Sequence, residues 1–145
     1  MITYPLKFQV RAEGTSGVNQ TWTCRAEPSQ QITEIPCAIP AEFNGPGGGY
    51  SPEDLFALAL VNCFIATFKV IAQGSKLEFT KISCESELVV DRNDEGRPCM
   101  KECSLHFILE GAANREKAER LLNKTAEQCL VWNSVLTKKN VRFTV

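Results

Sequence analysis

Neither sign of charge is in excess: 16 Lys and Arg stand against 17 Asp and Glu, a formal net charge of −1. Proteins that grip nucleic acid usually carry a basic excess or stripe, so no nucleic-acid partner is expected. The opening MITYPLKFQV lacks a charged leader followed by an apolar block, so no signal peptide is expected. No internal repeat, low-complexity tail or linker divides the 145 residues, and a single domain over 1–145 is expected. Histidine is nearly missing, His106 being alone. Long unbroken apolar runs are missing too, which argues against a membrane span even in the most apolar stretch. Hydrophobic residues make up 43% and charged residues 23%, enough for a packed core and too apolar for disorder.

Cysteine, by contrast, is plentiful. Seven are present: Cys24, Cys37, Cys63, Cys84, Cys99, Cys103 and Cys129. The number is odd and the chain needs no staples. Without an export signal, mostly free thiols in a reducing cytoplasm are expected. A free cysteine is also an ordinary small core residue, so each must earn a chemical role from its context.

The stretch around which the chain is organised is SPEDLFALALVNCFIATFKVIAQG, residues 51–74. Ser51 can cap a helix, Pro52 suits its first turn, and Glu53 and Asp54 favour the positive end of its dipole. Gly74 is the expected stop. Only Asn62, Thr67 and Lys69 are clearly polar between Leu55 and Ala72. A helix apolar nearly all round is expected to be buried nearly all round, more than one small sheet can cover, so a second subunit is implied.

Before this helix, residues 4–13 and 19–27 read as strands of a hairpin around a turn at 14–17, and 31–39 as a third short strand ended by Pro36 and Pro40. The glycine cluster in EFNGPGGGY reads as a loop or lid, since no Lys-Ser or Lys-Thr pair follows as phosphate binding would need. After it, residues 78–91 and 99–110 form strands about the RNDEGRP turn, and Gly111 ends the second. Asn114 caps a second helix running to about Cys129, with Ala118, Leu121, Leu122, Thr125 and Cys129 on one face. A last strand ends the chain, and Lys138 and Lys139 read as exposed charges. The class is α+β, with antiparallel sheets around a long central helix and a second helix.

The Cys99-x3-Cys103-x2-His106 run, with Cys84 on the preceding strand, is the nearest thing to a metal site. Zinc wants four Cys or His ligands, and alternation on a strand turns His106 away from the face shared by Cys99 and Cys103. No metal or other cofactor is expected, and His106 is expected to have a local partner instead.

Pro52, Glu53, Leu55, Cys63 and Phe64, followed by Cys129 in a second helix, resemble the "Pro-Glu-x-Leu…Cys-Phe" helix and second cysteine of the OsmC/Ohr family, the osmotically induced and organic-hydroperoxide-resistance proteins. SLHFILEG is similar to that family's penultimate strand. The resemblance implies an OsmC-like fold in an intertwined homodimer, and a thiol-dependent peroxidase. Cys63 would attack a hydroperoxide and become a sulfenic acid, Cys129 would condense with it to a disulfide, and an external dithiol would reduce that. An apolar pocket would favour organic hydroperoxides, with Phe56, Phe64 and Phe68 as candidate lining.

The family resemblance also gives Glu53 the task of orienting an arginine beside the thiolate. Arg11 and Arg25 are the choices, Arg11 being preferred because RAEG resembles the organic-hydroperoxide branch. Ten residues separate Glu53 from Cys63, about 15 Å along one helix at ~1.5 Å per residue. Two such helices crossing in a dimer could bring Glu53 of one chain to Cys63 of the other. The alternative is a non-catalytic dimer that holds a small apolar ligand, its cysteines only packing.

Overall fold

The computed structural model describes residues 5, 7–15, 17, 19–27 and 33–145. Residues 4 and 6 of the first expected strand, 16 of the first turn and 31–32 of the third strand lie outside these. The chain forms two compact units, one ending at Leu55 and one beginning at Phe56.

In the first unit, β1 (Gln9–Glu13) pairs antiparallel with β2 (Trp22–Glu27), placing Arg11 directly opposite Arg25. This is the expected hairpin. The third strand is shorter than expected: β3 (Ile35–Cys37) pairs antiparallel with β2, with Trp22 facing Cys37 and Cys24 facing Ile35. Pro36 lies inside β3 instead of ending it. At a sheet edge its missing N–H is not needed, and its carbonyl accepts from Tyr50 N at 2.9 Å. One glycine of the following cluster is fixed by packing, since a Cβ on Gly45 would lie 2.0 Å from the Ile39 carbonyl oxygen.

Helix α1 (Pro52–Gly74) starts with a reciprocal cap: Ser51 Oγ accepts from Asp54 N at 3.0 Å, and Asp54 carboxylate accepts from Ser51 N at 2.9 Å. At its other end the left-handed position is Lys76 (φ 54°), not Gly74. The Leu77 N–H closes that turn on the Ala72 carbonyl at 2.9 Å.

The second unit holds the main core. β4 (Lys81–Arg92) and β5 (Pro98–Glu110) form the expected antiparallel pair, with a bulge where Lys101 has no partner between Val89 and Val90. Their turn is held by Asn93 Oδ1, which accepts from Glu95 N and Arg97 N. Asn114 caps α2 (Arg115–Gln128), its Oδ1 accepting from Lys117 N at 2.9 Å. Cys129 then adopts an extended conformation (ψ 112°), and a short helix not foreseen from the sequence, α3 (Leu130–Asn133), follows.

The last strand, β6 (Lys138–Thr144), runs parallel to β5, with Phe107 beside Phe143. The expectation of antiparallel pairing throughout is therefore corrected: the second sheet, ordered β4-β5-β6, is mixed. The physical reason is the connection. Two strands joined through α2 and α3 make a crossover, and a crossover returns the chain in the same direction.

Leu60, Phe64, Phe68 and Ala72, four apart, form the buried stripe of α1 and join Leu105, Phe107, Leu109, Ala118, Leu122 and Trp132 in one cluster. Phe64 stacks on Phe107 with centroids 4.0 Å apart and meets Trp132 at 5.0 Å. The helix is not covered all round within this chain: Leu58 is 40% and Val70 72% exposed on its other side. By length and composition α1 also suffices to cross a bilayer.

Candidate functional site

Cys63 lies at mid-length on α1, next to the core residue Phe64, and is half-buried. Cys129 is fully buried in the break between α2 and α3. The fold brings the two thiols together. Cys63 is a near enough neighbour to act on the Cys129 thiol, and Val131 N, two residues past Cys129, donates to Cys63 Sγ at 3.5 Å. Trp132, one residue further, donates from Nε1 to the Leu60 carbonyl at 2.9 Å. That bond fixes α3 against the α1 turn just before Cys63, so the thiols are held by packing from three elements.

Burial sets Cys129 apart. Burial first, with the neighbouring Cys63 thiol adding to it, pushes the Cys129 thiol up to about 12 from an ordinary 9.0, although the Trp132 and Val131 N–H groups pull the other way. At neutral pH Cys129 is therefore a protonated thiol. Cys63 receives the Val131 amide and has partial solvent access. The arrangement is suited to one nucleophilic sulfur backed by a second, neutral one.

The other expected site residues lie in the first unit. Arg11, on β1, is ion-paired with Glu13 and holds that carboxyl below its usual value. Arg25 pairs with Glu34 at 3.5 Å. Glu53 sits in the first turn of α1, where its Oε2 is buried with no hydrogen-bond partner among the described residues. A buried carboxylate oxygen ordinarily has a donor, so this one calls for a cation or N–H group.

Two expectations require correction. Phe64 and Phe68 do not line a pocket, because both are fully buried in the core. Phe56 does line one, a cleft of about 500 Å³ that includes Cys99, Met100, Val135 and Leu136. Lys139 is not a free surface charge: its Nζ donates to the Trp132 carbonyl at 2.9 Å and the Val135 carbonyl at 3.4 Å, binding the end of α3. His106 has the local partner expected of it. Arg142 offers only donors, so it donates to Nδ1 at 2.9 Å, which leaves Nε2–H to donate to Thr144 Oγ1 at 2.7 Å. No group of three or more His, Cys, Asp or Glu side chains suited to a metal ion occurs among the described residues.

Sequence reading missed the backbone donor at Val131 and the anchoring role of Trp132. The Trp three residues after the cysteine in CLVW was the available signal, since a buried indole N–H needs an acceptor.

Residues 45–145 match the family model described as OsmC-like protein. The chain is 28% identical over 123 residues to the organic hydroperoxide resistance protein of Xanthomonas axonopodis pv. citri, with 83% of each protein covered. Its fold is similar to that of an OsmC-like protein of unknown function from Vibrio cholerae, with a TM-score of 0.82 at 14% identity over 97% of this chain and 100% of that one. It is also similar to an organic hydroperoxide resistance protein OsmC from Legionella pneumophila, with a TM-score of 0.72 at 25% identity over 96% and 97% of the two chains.

Proposed function

The chain belongs to the OsmC-like family, and from that membership and its paired thiols we propose that it is a thiol-dependent peroxidase that reduces organic hydroperoxides. The observation that carries the reading is that Val131 N, two residues past the buried Cys129, donates to Cys63 Sγ at 3.5 Å, which sets the two cysteines in one small site. The Cys63 thiolate attacks the distal peroxide oxygen, the S–O bond forms as the O–O bond breaks, and the alcohol leaves. The resulting sulfenic acid meets Cys129, whose sulfur displaces water to give the Cys63–Cys129 disulfide. Two thiols of an external dithiol then return both cysteines to the reduced state and carry away the two electrons as its own disulfide.

The division of labour follows from the environment. A thiolate is the nucleophile. Cys63 is the half-buried and therefore reachable sulfur, while burial keeps Cys129 protonated and out of competition. A buried second thiol beside Cys63 also intercepts the sulfenic acid before a second peroxide can.

In the same proposal Arg11 assists the thiolate and Glu53 orients it, in a homodimer where two α1 helices cross. Glu53 Oε2, without a partner among the described residues, and the exposed Leu58 and Val70 on α1 support this. Size-exclusion chromatography with light scattering is expected to give a dimer, and a stable, active monomer contradicts the two-chain site. Free cysteines throughout the described residues suit a reducing cytoplasm. The activity itself is tested by dithiol-dependent consumption of tert-butyl hydroperoxide: wild type turns over, and Cys63→Ser is inactive with an unchanged circular dichroism spectrum. Equal turnover by both proteins excludes Cys63 as the nucleophile.

A further inference from the structure

A second pair of thiols lies in the first unit. Cys24, in the middle of β2, and Cys37, at the end of β3, have their sulfurs 3.3 Å apart. The register explains the approach. Cys24 faces Ile35, and Cys37 lies two residues beyond Ile35 on the same face, so the cysteines are diagonal neighbours across antiparallel strands. Cys37 is 1% exposed, whereas Cys24 is half-buried and borders a cavity of about 340 Å³ with Val10, Ala12, Ala26 and Ile35. One sulfur of the pair is thus reachable from a mostly apolar opening, and the other lies behind it.

We propose that Cys24 and Cys37 form a second redox couple, separate from Cys63 and Cys129, which closes to a disulfide by exchange with a small-molecule disulfide. A disulfide bond is about 2.05 Å long, so the sulfurs must approach by roughly 1.3 Å, a side-chain rotation at a sheet edge. Cys24, as thiolate, attacks a disulfide RS–SR, forming a Cys24–SR bond and releasing one thiolate, which takes up a proton as RSH. Cys37 then gives up its proton and attacks the Cys24 sulfur, and the second RSH leaves. Two electrons pass from the protein to RS–SR, which is consumed as two thiols. Burial and the neighbouring Cys24 thiol push Cys37 up to about 11, so Cys37 is placed to resolve and not to attack first, and closure accelerates with rising pH.

The staple would reach the start of α1. β3 is tied to Tyr50 by Ala38 N to the Tyr50 carbonyl at 3.1 Å and Tyr50 N to the Pro36 carbonyl at 2.9 Å, and Tyr50 directly precedes the capping Ser51. Closing the pair covalently fixes the strand that holds this segment.

The test treats the reduced full-length protein with hydroxyethyl disulfide, blocks the remaining thiols, and maps peptides without reduction. The expected product is a Cys24–Cys37 linked peptide, lighter than the two thiol peptides by two hydrogens, formed by native protein and not selectively by protein in denaturant. Cys37→Ser is expected to stop at a stable Cys24 mixed disulfide. Wild-type protein in which both cysteines remain blockable, or carry separate adducts without linking, overturns the proposal. The wild-type result needs no variant to fold, and neither outcome depends on peroxidase activity.

Discussion

Replacing Trp132 by Phe isolates the bond that holds α3 against α1. The Trp132 indole donates to the Leu60 carbonyl at 2.9 Å in a buried setting, and the ring packs on Phe64 at 5.0 Å. Phe keeps an aromatic body there and loses the donor. Leu60 lies inside α1, so its carbonyl keeps its helical partner and is not orphaned; the lost bond then contributes about 1 kcal/mol. The smaller ring leaves a partial void that adds roughly another 1 kcal/mol. A total near 2 kcal/mol corresponds to a fall of about 6 °C in Tm for a chain of this size. The change also slackens α3, which carries the Val131 amide and follows Cys129, so closure of the Cys63–Cys129 disulfide should slow by up to about tenfold. Urea unfolding followed by circular dichroism gives the first quantity, and quenched thiol blocking after one equivalent of hydroperoxide gives the second. A variant as stable as wild type that closes its disulfide equally fast refutes the anchoring role of Trp132.

Three further outcomes are expected. Cys129→Ser should still undergo the first oxidation but accumulate sulfenic and then sulfinic acid at Cys63, seen as added oxygen in the intact mass; a stable, unmodified Cys63 would remove Cys129 from the resolving role. The folded protein holds the raised thiol protons of Cys129 (about 12) and Cys84 (about 11) more tightly than the unfolded chain does. Their contribution to stability is therefore complete below about pH 9 and is lost as pH rises toward 12, so the urea midpoint of the reduced protein should fall over that window, less steeply in Cys129→Ser. Gly111→Ala should destabilise by about 2 kcal/mol or more, because its φ is 68° and a Cβ would lie 2.0 Å from Thr80 Oγ1, whereas Gly96→Ala, with φ 78° and open space, should lose only about 1 kcal/mol by the same urea assay.

The helices were legible because their ends and faces are written locally. Ser51 and Asp54 cap α1, Asn114 caps α2, and Ala118, Leu121, Leu122 and Thr125 recur at helical spacing on the buried side. The β4–β5 hairpin was legible from its turn residues. The direction of β6 was not, since VRFTV looks the same in either sense and only the α2–α3 crossover decides it. The break at Cys129 carries no Gly or Pro, so α3 was missed. Lys139 resembles any surface lysine until α3 presents carbonyls to its ammonium. The Cys24–Cys37 contact depends on the β2–β3 register, which three residue pairs set and no turn motif announces. At the site, the two cysteines were found by their helical context and family resemblance, while the donors around them belong to the backbone and leave no mark in side-chain identity.

The central claim is a two-cysteine cycle at Cys63 and Cys129, and thiol-resolved mass spectrometry after one equivalent of an organic hydroperoxide tests it most directly. The account predicts rapid formation of a Cys63–Cys129 disulfide with the other five thiols still reduced. Slow oxidation scattered over several cysteines, with Cys63 no faster than the rest, would contradict it.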